Sequence, residues 1–210
     1  MRRMFDRAMH SSRGLIHVGA NAGQERLLYE DHDLTVFWVE PIPKVFAELE
    51  TNIASMPLQR CARALVAEED GQELVFNISS NGGASSSILD LAGHRDIWPD
   101  VVYVEQLKLR STTLPTLIAA EGIDVGQHDM LVLDTQGSEL LILKGAASLL
   151  HGFQYIKTEV ADFESYVGCA KRDEITQFLA NYGFAEFAEE QLAERRTGGR
   201  YFDILYRRAN

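Results

Sequence analysis

The segment His17-Val18-Gly19-Ala20-Asn21-Ala22-Gly23 follows a short apolar run and carries two glycines at a turn. Glycines there let the chain bend sharply and let a ligand approach the main chain. A carboxylate, Glu40, stands about 20 residues beyond Gly19, the offset at which an acidic side chain grips ribose hydroxyls. Two vicinal hydroxyls donate, and a carboxylate offers two accepting oxygens. The dinucleotide fingerprint is incomplete, because Asn21 and Gln24 occupy its second and third glycine positions. A pyrophosphate must approach the second glycine closely, so NAD and FAD are disfavoured. S-adenosylmethionine has the ribose and adenine but no phosphate, and it tolerates such a loop.

Two further carboxylates close buried strands. Asp134 follows Met130-Leu-Val-Leu133, and Glu159 lies near the end of Phe153–Val160. In an open parallel sheet, ligands bind outside the carboxyl ends of the strands, so Asp134 faces the same crevice as Gly19 and Glu40. Glu159 can reach that crevice, or it is only the strand's exit to water. Asp134 can instead cap the following helix, but Ser138 is placed for that role. If a hydroxyl must lose a proton in the crevice, Asp134 and Glu159 are the candidate general bases, with His17 and His94 behind them. There is no Gly-x-Ser-x-Gly elbow, so a serine hydrolase is disfavoured.

The elements that position these groups alternate. Gly14–Val18 and Thr35–Val39 are continuous apolar runs, and 61–66 is a weaker third. Helices are expected over 24–30 and from Pro43 to Ile53. Continuous rather than alternating apolar strands indicate a parallel sheet covered on both faces, and right-handed crossovers make it doubly wound. The middle breaks the rhythm: strands over 73–78 and 101–109 flank a Ser-, Gly- and Asn-rich loop at 79–87. The alternation resumes with a helix at 114–121, a strand at 129–134, a helix from Ser138 to Leu150, a strand at 153–160 and a helix at 173–182. The tail, 184–188 and 201–206, reads as two antiparallel strands joined by a charged loop.

The chain has 210 residues, 46% hydrophobic and 24% charged, with net charge −11. That composition excludes a disordered chain and fits one domain over 1–210, with an N-terminal extension at 1–12 and a β insertion at 70–110. The acidic balance argues against duplex nucleic acid as a partner. The pairs Arg2–Arg3, Arg195–Arg196 and Arg207–Arg208 read as solvated termini or loops. Cys61 and Cys169 make no disulfide framework and no zinc-ligand spacing, and no metal is expected. No apolar stretch follows the N-terminus and no run spans a membrane, so a soluble cytoplasmic protein is the simplest expectation.

In order along the chain, Ile16-His-Val-Gly-Ala-Asn-Ala-Gly23, Val39-Glu-Pro-Ile-Pro43, Ser85-Ser-Ser-Ile-Leu89, Leu133-Asp-Thr-Gln-Gly-Ser-Glu-Leu140, Thr158-Glu-Val160 and Asp203-Ile-Leu-Tyr206 form a set. This set resembles the FkbM-type family of S-adenosylmethionine-dependent methyltransferases, from about Gly14 to Arg207. The resemblance implies an α/β fold with a mostly parallel seven-strand class I methyltransferase (Rossmann-like) sheet whose last strand is antiparallel. It implies that Gly19, Ala20, Asn21, Gly23 and Glu40, with His17 and Pro41 beside them, bind the cofactor, and that Asp134 lies beside its methionine portion or the reacting group. The family commonly has Asp where His17 stands. Neutral His accepts one hydrogen bond but supplies no full charge. Gln136 replaces a frequent Glu, which disfavours a metal there. The loop with Ser85, Ser86 and Ser87 is expected to cover the cofactor and meet the acceptor. Trp98, Tyr103 and Tyr166 are either a sugar-stacking wall or core. The implied activity is O-methylation of a sugar or other small-molecule hydroxyl. The competing expectations are a nicotinamide-dependent oxidoreductase and a non-catalytic binding module on the same fold.

Overall fold

The computed structural model describes residues 2–209. The chain begins with helix α1 (Arg2–Ser11), followed by β1 (Gly14–Val18), α2 (Arg26–Asp31), β2 (Thr35–Val39), α3 (Pro43–Ile53) and β3 (Gln59–Ala62). Then come β4 (Leu65–Val66), β5 (Glu73–Ser79), β6 (Tyr103–Thr112), α4 (Leu114–Glu121), β7 (Met130–Leu133) and α5 (Glu139–Gly145). The last elements are β8 (Tyr155–Ala161), α6 (Arg172–Ala180), β9 (Phe184–Glu194) and β10 (Arg200–Arg208). Seven strands form one sheet in the order β3-β2-β1-β7-β8-β10-β9. β1, β2, β3, β7 and β8 pair in parallel, while β10 lies antiparallel between β8 and β9. The sheet therefore has the predicted class I methyltransferase form.

The parallel strands carry apolar side chains on both faces, and each face has its own helices. Ile16, Val18, Leu131 and Leu133 pack with α4, α5 and α6 through Leu114, Leu143 and Ile175. Leu15, Val36, Trp38 and Val132 pack with α1, α2 and α3 through Met9, Tyr29 and Leu49. Alternation along β1 sends His17 to this second face, beside Leu15.

Four expectations change. The segment 1–12 contains a helix whose Ala8 and Met9 are fully buried, not merely an extension. Its run of Arg, His and Ser hides a single apolar stripe. The expected third strand is two: β3 extends the main sheet, and β4 pairs with β6 in a separate three-stranded sheet with β5. That sheet draws on residues 65–112, beyond the bounds of 70–110 expected for the insertion. Helix α5 stops at Gly145 instead of Leu150, where a Cβ would lie 2.6 Å from the Ala67 carbonyl. Strands β9 and β10 are longer than expected, because they zip together over nine pairs. No helix of the described residues is long and apolar enough to cross a membrane.

Candidate active site

The carboxyl ends of β1, β2 and β7 deliver Gly19, Glu40 and Asp134 to one cleft with about 600 Å³ of open space. Gly19 has φ +85°, and a Cβ there would lie 1.8 Å from the Asp134 carbonyl oxygen. Only glycine lets these two strand ends touch. The N–H groups of Gly19 and Ala20 both donate to the Val39 carbonyl at 3.0 Å, which draws the first loop across the end of β2. Asn21, at φ +45°, donates its N–H to Glu40 Oε2, and Ile42 donates its N–H to Glu40 Oε1, each at 2.9 Å. Burial raises the Glu40 carboxyl to about pKa 7, against the pull of these two donors and with a further push from Asp134. Pro41, Leu65 and Phe76 form an apolar wall, and the lining residues include no Lys or Arg.

Three of the expected cofactor residues lie elsewhere. His17 does not line the cleft. Its ring stacks on Trp38 at 4.9 Å between centroids, and Nδ1 shares a 3.2 Å hydrogen bond with the Tyr29 hydroxyl. Burial, then the charge of Lys157, lowers its pKa to about 3, so the ring is neutral. Ala20 is buried with the α2 and α3 face. Gly23 makes room for α3, since a Cβ there would meet Leu49 at 2.7 Å.

Glu159 is drawn to Asp134 through a residue that sequence reasoning weighed only as a lost metal ligand. The amide nitrogen of Gln136 donates to Asp134 Oδ1 at 2.6 Å and to Glu159 Oε1 at 3.3 Å. Its amide oxygen accepts from the Tyr166 hydroxyl at 2.6 Å, and its main-chain carbonyl accepts from Ser87 Oγ at 2.7 Å. The backbone there is left-handed, at φ +57°. Burial raises both carboxyls. For Glu159 the next causes are the charges of Asp134, Asp203 and Glu139. Lys157 pairs with Asp203 at 2.8 Å beneath this cluster.

Ser138 is not the cap expected of it. Its hydroxyl donates to the Thr135 carbonyl, and the neighbouring Glu139 fixes the turn instead. The Glu139 carboxylate accepts from Thr135 N–H and Oγ1 and from Gly137 N–H, at 3.0–3.1 Å. An acid in the first turn of a helix after a glycine was the available signal.

The serine-rich loop does fold over the cleft: Gly83, Ala84 and Ser86 line it, and the Asn21 amide donates to the Gly82 carbonyl at 3.3 Å. Its hydroxyls serve the loop itself. Ser86 Oγ accepts from Ser79 N–H, Ser85 Oγ accepts from the Asn81 amide, and Ser87 Oγ holds Gln136 and Leu89. Ser85 and Ser87 do not line the cleft. His94 is buried, with Nε2 at 3.2 Å from Ser85 Oγ, and burial lowers its pKa to about 4. Tyr166 is core, and Tyr103 donates its hydroxyl to the Leu89 carbonyl.

The site can thus hold a diol at Glu40, cover it with a loop, and hold or accept a proton at the Asp134–Glu159 pair. A family model described as "Methyltransferase FkbM domain" matches residues 17–185. No curated protein matches the sequence. Among solved structures, the chain is similar to a putative tRNA (m1A22) methyltransferase, Sp1610 of Streptococcus pneumoniae, at 13% identity and TM-score 0.51, covering 100% of this chain and 71% of that one. It is also similar to magnesium protoporphyrin IX methyltransferase of Synechocystis PCC 6803, solved with SAH, at 10% identity and TM-score 0.52, covering 99% and 79%. A third is the N-terminal domain of EvdMO1, solved in the presence of SAH and D-fucose, at 12% identity and TM-score 0.51, covering 99% and 81%. At these identities the likeness is one of fold.

Proposed function

We propose, from the premise that this chain belongs to the FkbM methyltransferase family, that it transfers the methyl group of S-adenosylmethionine to a hydroxyl of a sugar or other small molecule. The observation that carries this is the presentation of Glu40. Each carboxylate oxygen accepts one main-chain N–H, and each keeps a second lone pair for a ribose hydroxyl. The apolar wall of Leu65 and Phe76 suits an adenine, and the absence of cationic lining residues suits a cofactor without phosphates. A nicotinamide dinucleotide finds no partner for its pyrophosphate. The residues therefore fit the group.

When bound, S-adenosylmethionine supplies a methyl group on a sulfonium and leaves as a neutral thioether. The chain's task is then mostly positioning, which can contribute up to roughly 7–11 kcal/mol to the barrier. Glu40 and the Gly19 loop hold the nucleoside end. The 79–87 loop excludes water above it. Asp134 and Glu159 are the groups placed to take the hydroxyl proton of the acceptor, and their raised pKa values make each a stronger base once ionised. Gln136 donates to both and keeps the two carboxyls at a fixed separation. Two of the similar structures are named as methyltransferases of different acceptors, a tRNA and a protoporphyrin, so the hydroxyl acceptor rests on this chain's own side chains. The D-fucose supplied to the EvdMO1 domain is in keeping with it.

Calorimetry with S-adenosylhomocysteine tests the reading. The wild-type chain should bind it at sub-millimolar concentration, and Glu40→Ala should weaken it at least about tenfold through loss of charge-assisted hydrogen bonds. Binding of NAD in its place, or an unchanged affinity in the variant, would sink the assignment.

A further inference from the structure

The carboxyls of Asp134 and Glu159 share a single donor. Among the described residues, the Gln136 amide is the only group that hydrogen-bonds either side chain, and it faces one with each of its two hydrogens. Lys157 of β8, Asp203 and Tyr201 of β10, Glu139 of α5, Glu40 after β2 and Glu25 before α2 also face the pair. They act on it through charge alone, and Lys157 makes its hydrogen bond to Asp203. A glutamine amide fits its space equally well either way round, so its direction is set by its hydrogen-bond partners. On the far side of the amide stands Tyr166, whose hydroxyl donates to Gln136 Oε1 at 2.6 Å. Burial pushes the phenol far above its ordinary range, so it keeps the proton it donates. Tyr166 is itself held in place. It is fully buried, a Cβ on Gly137 would lie 3.1 Å from its ring, and its main chain bridges to Leu91.

We propose that Tyr166 is a positioning residue for the acid pair: by engaging Gln136 Oε1 it turns both amide hydrogens toward Asp134 and Glu159 and keeps the pair ready to accept a proton. That the pair serves as the base of the reaction rests on the methyl-transfer reading. The effect comes from matching donors to acceptors. An ionised carboxylate only accepts, so an N–H suits it. A carboxyl that still holds its proton must donate it, and the amide oxygen that could receive it is taken by the phenol. The arrangement therefore favours the ionised form, whereas burial favours the neutral one. The hydrogen bonds from Gln136 lower the proton affinity of both carboxyls, in keeping with this direction. Without the phenol, the amide is free to turn over and present Oε1 to a protonated carboxyl. The pair would then hold the very proton it has to lose before an acceptor hydroxyl can give up its own. Packing does not supply this control, because a Phe at position 166 fills the same space and leaves the amide free.

The test follows the carboxyl carbons of Asp134 and Glu159 through a pH titration by carbon-13 NMR, without cofactor. The chains compared are wild type, Tyr166→Phe, Gln136→Met and the double variant, with Asp134→Asn and Glu159→Gln to assign the signals. Tyr166→Phe should move the upper titration of the pair to higher pH, with the proton held about tenfold more tightly. In the Gln136→Met background the same substitution should change nothing, because Tyr166 acts only through the amide. A second measurement needs no variant of Tyr166. In the wild-type chain above that titration, the side-chain hydrogens of Gln136 should exchange with water more slowly than those of the exposed Gln24. An unmoved titration in Tyr166→Phe, a shift of equal size in both backgrounds, or Gln136 hydrogens that exchange as fast as those of Gln24 would each overturn the role of Tyr166. Failure of S-adenosylhomocysteine to bind would instead remove the methyl-transfer reading, and the titration, run without cofactor, would still decide whether Tyr166 sets the amide.

Discussion

The Glu40 carboxyl is pulled two ways, toward the proton by burial and toward the anion by the N–H groups of Asn21 and Ile42. Its raised value of about 7 has a consequence for binding. A ribose diol engages the ionised form, so binding expels a proton wherever Glu40 still holds one. Affinity for S-adenosylhomocysteine should therefore rise with pH up to about 7 and level off above it, with proton release visible on comparing two calorimetry buffers. A flat profile would contradict the assignment. In the unliganded chain the sign is the reverse. Glu40 favours the fold below the ordinary carboxylate value of 4.5, and that contribution is lost as pH rises through about 7. At this scale the sequence was only partly legible. Spacing located Gly19, Glu40 and Asp134, because strand ends sit at the same edge of a parallel sheet. It could not place His17, whose direction depends on which face Tyr29 and Trp38 occupy. Nor could it show that Ser87, and Glu159 and Tyr166 from the end of β8 and the loop after it, all meet Gln136.

The turn 134–138 joins β7 to α5, and its shape depends on one buried acid. Gln136 and Gly137 both have positive φ, and Glu139 holds Thr135 and Gly137 in place through their N–H groups. Replacing Glu139 with Ala leaves two N–H groups and a hydroxyl without their acceptor. Urea unfolding should show a loss of about 3 kcal/mol. Glu139→Gln, which keeps one acceptor oxygen, should recover part of it, and a loss below about 0.5 kcal/mol in the Ala variant would show that the turn holds without it. The strands themselves were readable, since a run such as Met130–Leu133 is apolar at every position. Helix α1 was not, since its stripe is only Phe5, Ala8 and Met9 among charged residues. The break between β3 and β4 escaped for another reason: local sequence does not say which of two sheets a short strand joins.

Across the whole molecule the net charge is −11, and several arginines of the C-terminal half are engaged by their neighbours. Arg195 pairs with Asp96 and stacks on Phe163, Arg172 bridges Glu186 and Glu189, and Arg207 lies over Phe187. These three cations are each engaged by their own neighbours. A phosphate backbone needs several free cations in a row to release its counterions. Total tRNA offered with methyl-labelled cofactor should therefore stay unlabelled; labelled RNA would overturn the small-molecule acceptor. The order of the sheet carries one more consequence, for how the chain is made. β9 leaves the ribosome before β10, yet β10 is the strand that lies between β9 and β8. Until it arrives, β8 has an open edge and β9 has no partner in the sheet. A growing chain thus carries two unpaired strand edges, the feature that invites association with other chains. It loses both in one step, when β10 pairs with β8 on one side and with β9 on the other.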